Sequence, residues 1–299
     1  MRVVILGCGY VGLELGRQLH ADHEVVGVRR SESGIEAVEA AGLTAVQADV
    51  TDESALESVP DADAVVFAAS SGGRGAEAAR EVYVDGLETA IDHFCSRADA
   101  PERVVYTSST GVYGDHDGEW VDESTAIEPT TPKTEVLAEA ERIAVERPAE
   151  YGVDGTVARY AGLYGPERYR LDRYVEGPVT EGYLNMVHRD DAAGAVGYLL
   201  TEDRARGEAV NVADDEPVAK WAFADWLAEQ CGEPEPEKRT IDERLAAEDL
   251  SETVERRLRT SKRVANDRLR ELGYDFAYPT FREGYRAAVE AYRDDEAAP

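Results

Sequence analysis

The sequence predicts an α/β protein: a doubly wound parallel sheet carrying a smaller C-terminal substrate lobe. Three observations predict it. Short β-branched runs alternate with helical patterns through the first two-thirds of the chain, and strands separated by helices at that spacing make βαβ units. The opening run, MRVVILGCGYVGLELGRQL, leads a strand directly into glycines that open a helix. After Tyr160 the rhythm changes, as expected where a second lobe is assembled. The reading divides the chain into a sheet domain, residues 1–161 plus 186–216, and a lobe, residues 162–185 plus 217–299.

Strands are expected at Arg2–Leu6, Glu24–Val28, Thr44–Gln47, Ala64–Phe67, Arg103–Thr107 and Gly155–Arg159. Their near-continuous apolar character suits strands buried on both faces. Helices are expected at Val11–Ala21, Gly34–Ala41, Glu77–Cys95 and Thr134–Glu146. The stretch GLYGPERYRLDRYVEGPVTEGYLN reads as irregular, surface-forming chain. RDDAAGAVGYLL returns as a helix with Asp190 as its N-cap, since Asp accepts free N–H groups. GEAVNVA reads as one more strand, and from Pro217 onward the chain reads as mostly helical and highly charged. The charge runs within Arg239–Arg263 are solvated faces, and the acidic end after Tyr292 is expected to fray.

Composition narrows the function. Of 299 residues, 62 are acidic and 32 basic, a formal net charge of −30, and only four of the basic residues are lysine. A hydrophobic content of 43% still fills a core. Such a surface suits a salt-rich cytoplasm, where screening quenches self-repulsion. It argues against nucleic acid or an anionic membrane as partner, because phosphate binding needs basic footprints. Cys8, Cys95 and Cys231 match no metal or redox spacing, and the first two read as small core hydrophobes. The N-terminal apolar run is too short for a secretory signal, and no run has the length of a membrane span. A cytoplasmic location is expected.

The glycines fall as Gly7-x-Gly9-x-x-Gly12, with Tyr10 and Val11 between the last two. In a strand–turn–helix setting the three serve in turn for a tight turn, for close approach of backbone to a pyrophosphate, and for close helix–strand packing. The helix start adds free N–H groups and a positive dipole end. This is the Rossmann arrangement for a dinucleotide. The second strand ends in Arg29-Arg30-Ser31, with no acid before Glu32. Arginine there accommodates a 2′-phosphate, so NADP is preferred over NAD. Asp49-Val50 follow the third strand and Ala68-Ala69-Ser70 the fourth, at the strand ends where open α/β sheets bind ligands.

SSTGVYG after the fifth strand, followed by VDES and PTTP, resembles the extended short-chain dehydrogenase/reductase family of nucleotide-sugar epimerases, dehydratases and reductases. ARYAGLYGPER, NMVHRDDAAGAV, AVNVADDEPV and LRELGYDFAYPTFREGY resemble its later segments in the right order. The resemblance covers nearly the whole chain. It implies an NAD(P)-binding oxidoreductase or epimerase/dehydratase-like enzyme with a small-molecule substrate, a nucleotide sugar or related carbonyl or hydroxyl compound, and a homodimer.

Four residues before the Tyr of the Val-Tyr-Gly turn, the resemblance puts a catalytic hydroxyl at Ser109. Ser109 is open to a second reading, as a serine satisfying turn backbone. The family's Tyr-x-x-x-Lys pair on the next helix is absent. With Pro132 and Glu141 as anchors, Lys133 stands at the Tyr position and Leu137 at the Lys position, and no Tyr lies between Tyr113 and Tyr151. Three readings stay open. Lys133 is itself a proton donor or phosphate ligand; it is a surface lysine at a helix start; or another group does the work, His116, Tyr113, Asp122 and Glu123 being the candidates.

Arg168, Arg170 and Arg173, interleaved with Tyr164, Tyr169 and Tyr174, suit a substrate with phosphate or carboxylate and a flat ring. Pairing with Glu167, Asp172 and Glu176 is the plain alternative. Tyr164, Arg168, Arg170 and His188 are the expected substrate contacts. Loss of the Tyr and Lys together also fits a different class, a non-catalytic NAD(P)-binding sensor or interaction protein.

Overall fold

The computed structural model describes residues 1–73 and 75–296. Seven strands form one sheet: β1 (Arg2–Leu6), β2 (Glu24–Arg29), β3 (Thr44–Gln47), β4 (Ala64–Phe67), β5 (Arg103–Ser109), β6 (Asp154–Tyr160) and β7 (Ala209–Val212). Every pairing is parallel, in the order β7-β6-β5-β4-β1-β2-β3. The direction of winding reverses between β1 and β4, which leaves a crevice beyond their carboxyl ends.

Strand periodicity sorts the core. Val3 and Ile5 of β1 join Val66 and Val105 in one cluster, while Val4 and Leu6 join Val65 and Val104 in another. The first cluster is covered by helix α1 (Tyr10–Leu19) and the second by α3 (Gly86–Cys95) and α4 (Pro132–Ala149); α2 (Glu32–Ala40) links β2 and β3. Helix α5 (Arg189–Thr201) packs beside α1 through Ala192, Val196 and Leu199. Cys8 and Cys95 lie in these cores, and burial pushes each thiol up to about 12.

Local chemistry moved several boundaries. Helix α4 begins two residues before the expected Thr134, because Pro132 takes its first turn and Thr131 caps it, accepting from the Thr134 N–H at 3.2 Å. Asp190 is not the cap of α5. The His188 side chain accepts the Asp190 N–H at 3.2 Å instead, and the two aspartates fall in the first turn, where the helix dipole favours them. The expected single helix Glu77–Cys95 is interrupted: α-helical Ala76–Arg80 passes through a π-helical turn, Glu81–Asp85, before α3.

The stretch expected to be irregular is stitched by short ladders. Gly162–Tyr164 pairs with Met186–His188, Val179–Thr180 with Lys238–Arg239, and Tyr183–Leu184 with Val218–Ala219. Strands of two or three residues are too short to show alternation in sequence. A third core gathers Tyr164, Phe223, Leu227, Phe281 and Tyr285. Tyr164 stacks on Tyr285 with ring centroids 4.8 Å apart.

Candidate active site

The β1–α1 turn can only be built from glycine. Gly7 has φ +80°, and a Cβ there would lie 2.2 Å from Ala69 Cα, so the turn presses against the backbone that follows β4. A Cβ on Gly12 would sit 3.0 Å from Ile5 Cγ2, which sets how closely α1 lies on β1. Gly9 is the N-cap of α1 and supplies no side chain to its free N–H groups. A cradle of backbone donors with no side-chain cap, at a positive helix end, fits a pyrophosphate.

A cleft of about 710 Å³ runs from this turn along the carboxyl edge of the sheet. Every residue expected to hold the cofactor lines it: Gly7, Gly9, Tyr10, Val11 and Gly12, then Arg29 and Arg30, Asp49 and Val50, and Ala68, Ala69 and Ser70. Arg29 is folded back under the turn, where its Nη1 donates to the Cys8 carbonyl at 3.0 Å. Arg30 stays exposed, 4.0 Å from Asp49. A second hollow of about 400 Å³ adjoins the first, and Arg17, Arg29, Arg168 and Arg189 line it. Two of these guanidiniums lie over the Tyr10 ring, Arg168 at 4.0 Å and Arg189 at 5.4 Å.

The other end of the cleft holds Ser109, Lys133 and Leu137. Ser109 ends β5, and its Oγ accepts the Gly111 N–H at 3.1 Å, which is the turn role foreseen for it; the hydroxyl still lines the cleft. Lys133 is exposed on the first turn of α4, with Nζ 5.9 Å from the Tyr83 ring centroid. Leu137, one turn further on, presents an aliphatic wall. Ser108 also lines the cleft, and its buried Oγ has no hydrogen-bond partner among the described residues.

Four other candidates are committed to structure and line neither hollow. Tyr113 is fully buried; it accepts from Arg159 Nη1 at 2.7 Å and donates to Asn211 at 2.9 Å. Arg159 in turn is paired with Glu141, both about 5% exposed. Glu123 accepts the Asn211 N–H at 2.7 Å, and burial holds its carboxyl above the ordinary value. His116 bonds the Tyr113 carbonyl, and Asp122 closes the turn to Ser124 and Thr125.

The expected substrate contacts divide. Arg168 lines the cleft. Arg170 is exposed away from it, in the left-handed conformation before a short helix, Leu171–Val175. Tyr164 and His188 are buried, 3% and 1% exposed, because their paired strands bring the two rings together, with Tyr285 stacked on Tyr164 and Tyr278 on His188. Burial pushes the His188 imidazole below its usual value, and Asp190 and Asp191 only partly oppose this. Tyr83 was not foreseen in the cleft. It lies between Val82 and Val84, both buried yet two apart, a placement that an undisturbed α-helix does not give and that the letters do not announce.

The family model for the NAD dependent epimerase/dehydratase family matches residues 3–213. The chain belongs to that family. The chain is 29% identical over 288 residues to the Escherichia coli K12 protein YeeZ, covering 93% of this chain and 96% of that one. A solved structure from Silicibacter pomeroyi DSS, a conserved protein of unknown function, is 28% identical with a TM-score of 0.74 and covers 99% of both chains. The Streptomyces venezuelae dTDP-glucose 4,6-dehydratase DesIV, solved with NAD and TYD, shares the fold at a TM-score of 0.79 and 22% identity, covering 99% of this chain and 98% of that one. Among the described residues no helix is long and apolar enough to cross a membrane.

Proposed function

We propose that this family member binds a nicotinamide dinucleotide along the cleft, NADP in preference to NAD, and exchanges hydride with a hydroxyl- or carbonyl-bearing small molecule. One observation carries the reading: a single cleft joins the uncapped glycine turn to Ser109 and Lys133. Gly9–Gly12 would hold the pyrophosphate, and Arg29, Arg30 and Ser31 would meet a 2′-phosphate at the far end. Bound there, the cofactor supplies a hydride donor or acceptor. Ser109 polarises the substrate oxygen while still held by its turn. A nucleotide sugar is the proposed substrate class. Arg168 and the second hollow supply guanidiniums for phosphate, and the lobe, residues 162–185 plus 217–299, would hold the remainder. The protein is proposed to work in the cytoplasm as a homodimer.

A second reading rests on Lys133 and Leu137 standing where the family's pair is expected: a dinucleotide-binding sensor that does not turn over. Calorimetric titration with NADPH and NADH at high salt decides the shared claim, and binding of NADPH more tightly than NADH is the expected result. Failure of both to bind would sink both readings, and tighter NADH would refute the roles of Arg29 and Arg30. Turnover of a panel of nucleotide sugars and simple carbonyl compounds then separates enzyme from sensor.

A further inference from the structure

We propose that Tyr83 is the proton donor of this site, with Lys133 as its electrostatic partner; the inference rests on the oxidoreductase reading above. The pair is assembled from two elements instead of one helix. Tyr83 comes from the π-helical turn Glu81–Asp85, and Lys133 from the first turn of α4. A π turn adds a residue to one helical turn and re-aims the side chains beside it, and such turns occur often at functional sites. Here its neighbours Val82 and Val84 stay in the core while Tyr83 is left half-buried on the cleft wall.

Among the described residues three tyrosines line the cleft, and their hydroxyls are differently engaged. Tyr10 donates to the Pro166 carbonyl at 3.0 Å, and Tyr160 donates to the Ala192 carbonyl at 3.0 Å, so each has given its proton to a backbone acceptor. Tyr83 instead accepts the Ser71 N–H at 3.2 Å, and Ser71 Oγ lies 3.5 Å away. Its own proton is not held by a carbonyl among the described residues. The phenol oxygen accepts the Ser71 N–H, and the Lys133 ammonium lies 5.9 Å from the ring centroid, which places a positive charge beside the phenol. Ser71 Oγ is a hydroxyl able to pass a proton in either direction.

The step balances as a proton transfer coupled to hydride exchange. In the reducing direction the Tyr83 O–H bond breaks and its proton passes to the substrate carbonyl oxygen, while the carbonyl carbon gains the hydride of the reduced nicotinamide cofactor. Tyr83 is left as phenolate and regains a proton from water. Oxidation of a hydroxyl runs the same transfers backwards. Lys133 touches neither reacting atom and acts through the charge it places beside the phenol.

The test uses the full chain and the variants Tyr83→Phe, Lys133→Met and the double variant. The first readout needs neither cofactor nor substrate: the ultraviolet absorbance of tyrosinate followed through a pH titration. Lys133→Met is expected to move one phenol's ionisation to higher pH, and that movement is expected to vanish in the Tyr83→Phe background. A titration that Lys133→Met leaves unchanged would overturn the pairing, whether or not a cofactor binds. The second readout is turnover with the carbonyl panel. Tyr83→Phe is expected to cut kcat by about 100-fold or more, the usual worth of a general acid, with NADPH affinity unchanged. Full turnover in Tyr83→Phe would overturn the proposal while leaving the oxidoreductase reading intact, whereas loss of NADPH binding by the wild-type protein counts against that reading alone. Unchanged NADPH affinity in Tyr83→Phe also shows that the variant is folded.

Discussion

The two ends of the cleft are built on different principles. At the glycine turn the backbone itself makes the site, through Gly7 pressed on Ala69 and an α1 N-terminus with no side-chain cap. At the Ser109 end side chains make it, and a buried network lies behind the turn that follows β5: Arg159 between Glu141 and Tyr113, Asn211 between Tyr113 and Glu123, and Lys262 on the Gly114 carbonyl at 2.8 Å. A backbone site admits few sequences and so keeps its signature. A side-chain site can be re-dealt among neighbouring elements while the same scaffold stands, as the proposed Tyr83–Lys133 pair illustrates.

The contrast can be broken first at the network. Glu141→Ala leaves the Arg159 guanidinium buried without its carboxylate, and losing one partner of a buried pair costs about 3–5 kcal/mol. Urea denaturation should show that loss, while an effect below about 1 kcal/mol, the worth of a surface pair, would mean the network does not support the turn. Next comes Lys262, whose folded-state value burial lowers from 10.5 to about 8, against a small opposing pull from Asp115. Below about pH 8 the ammonium is charged in both states and its burial cost is fully present. Between about pH 8 and 10.5 the unfolded chain binds the proton and the folded chain does not, so stability should rise with pH, by about 3 kcal/mol in total. Lys262→Met should lack that rise; an identical slope in the variant would assign it to other groups. The last effect falls at the glycine turn. Gly7→Ala adds about 1–3 kcal/mol of backbone strain at a positive φ, and its Cβ must in addition displace the Ala69 backbone, whose Cα lies 2.2 Å from that position. Dinucleotide affinity should fall with it, by about tenfold or more, about 1.4 kcal/mol of binding free energy or greater. A calorimetric titration giving wild-type affinity would place the cofactor elsewhere.

The same contrast explains what could be read in advance. Strands β1, β3 and β4 were legible to the residue because their apolar runs are bounded by turn chemistry, and the glycine motif named its own geometry. Ser109 could be located from its turn, but its hydrogen bond to Gly111 depends on a φ/ψ choice that the letters do not show. Tyr83 was hidden because a π turn changes the helical period for a single turn, below what a pattern over a whole helix can register. His188 looked like a cleft residue because it precedes a helix start at a strand end. Pairing of its strand with Gly162–Tyr164, set by contacts distant in sequence, buries it.

A structure of the protein with bound NADPH tests the central claim most directly. The pyrophosphate is expected on the N–H groups of Tyr10–Gly12, the 2′-phosphate beside Arg29 and Arg30, and the nicotinamide C4 between Ser109 and Tyr83. A nicotinamide ring turned out of the cleft, away from Ser109 and Tyr83, would contradict it.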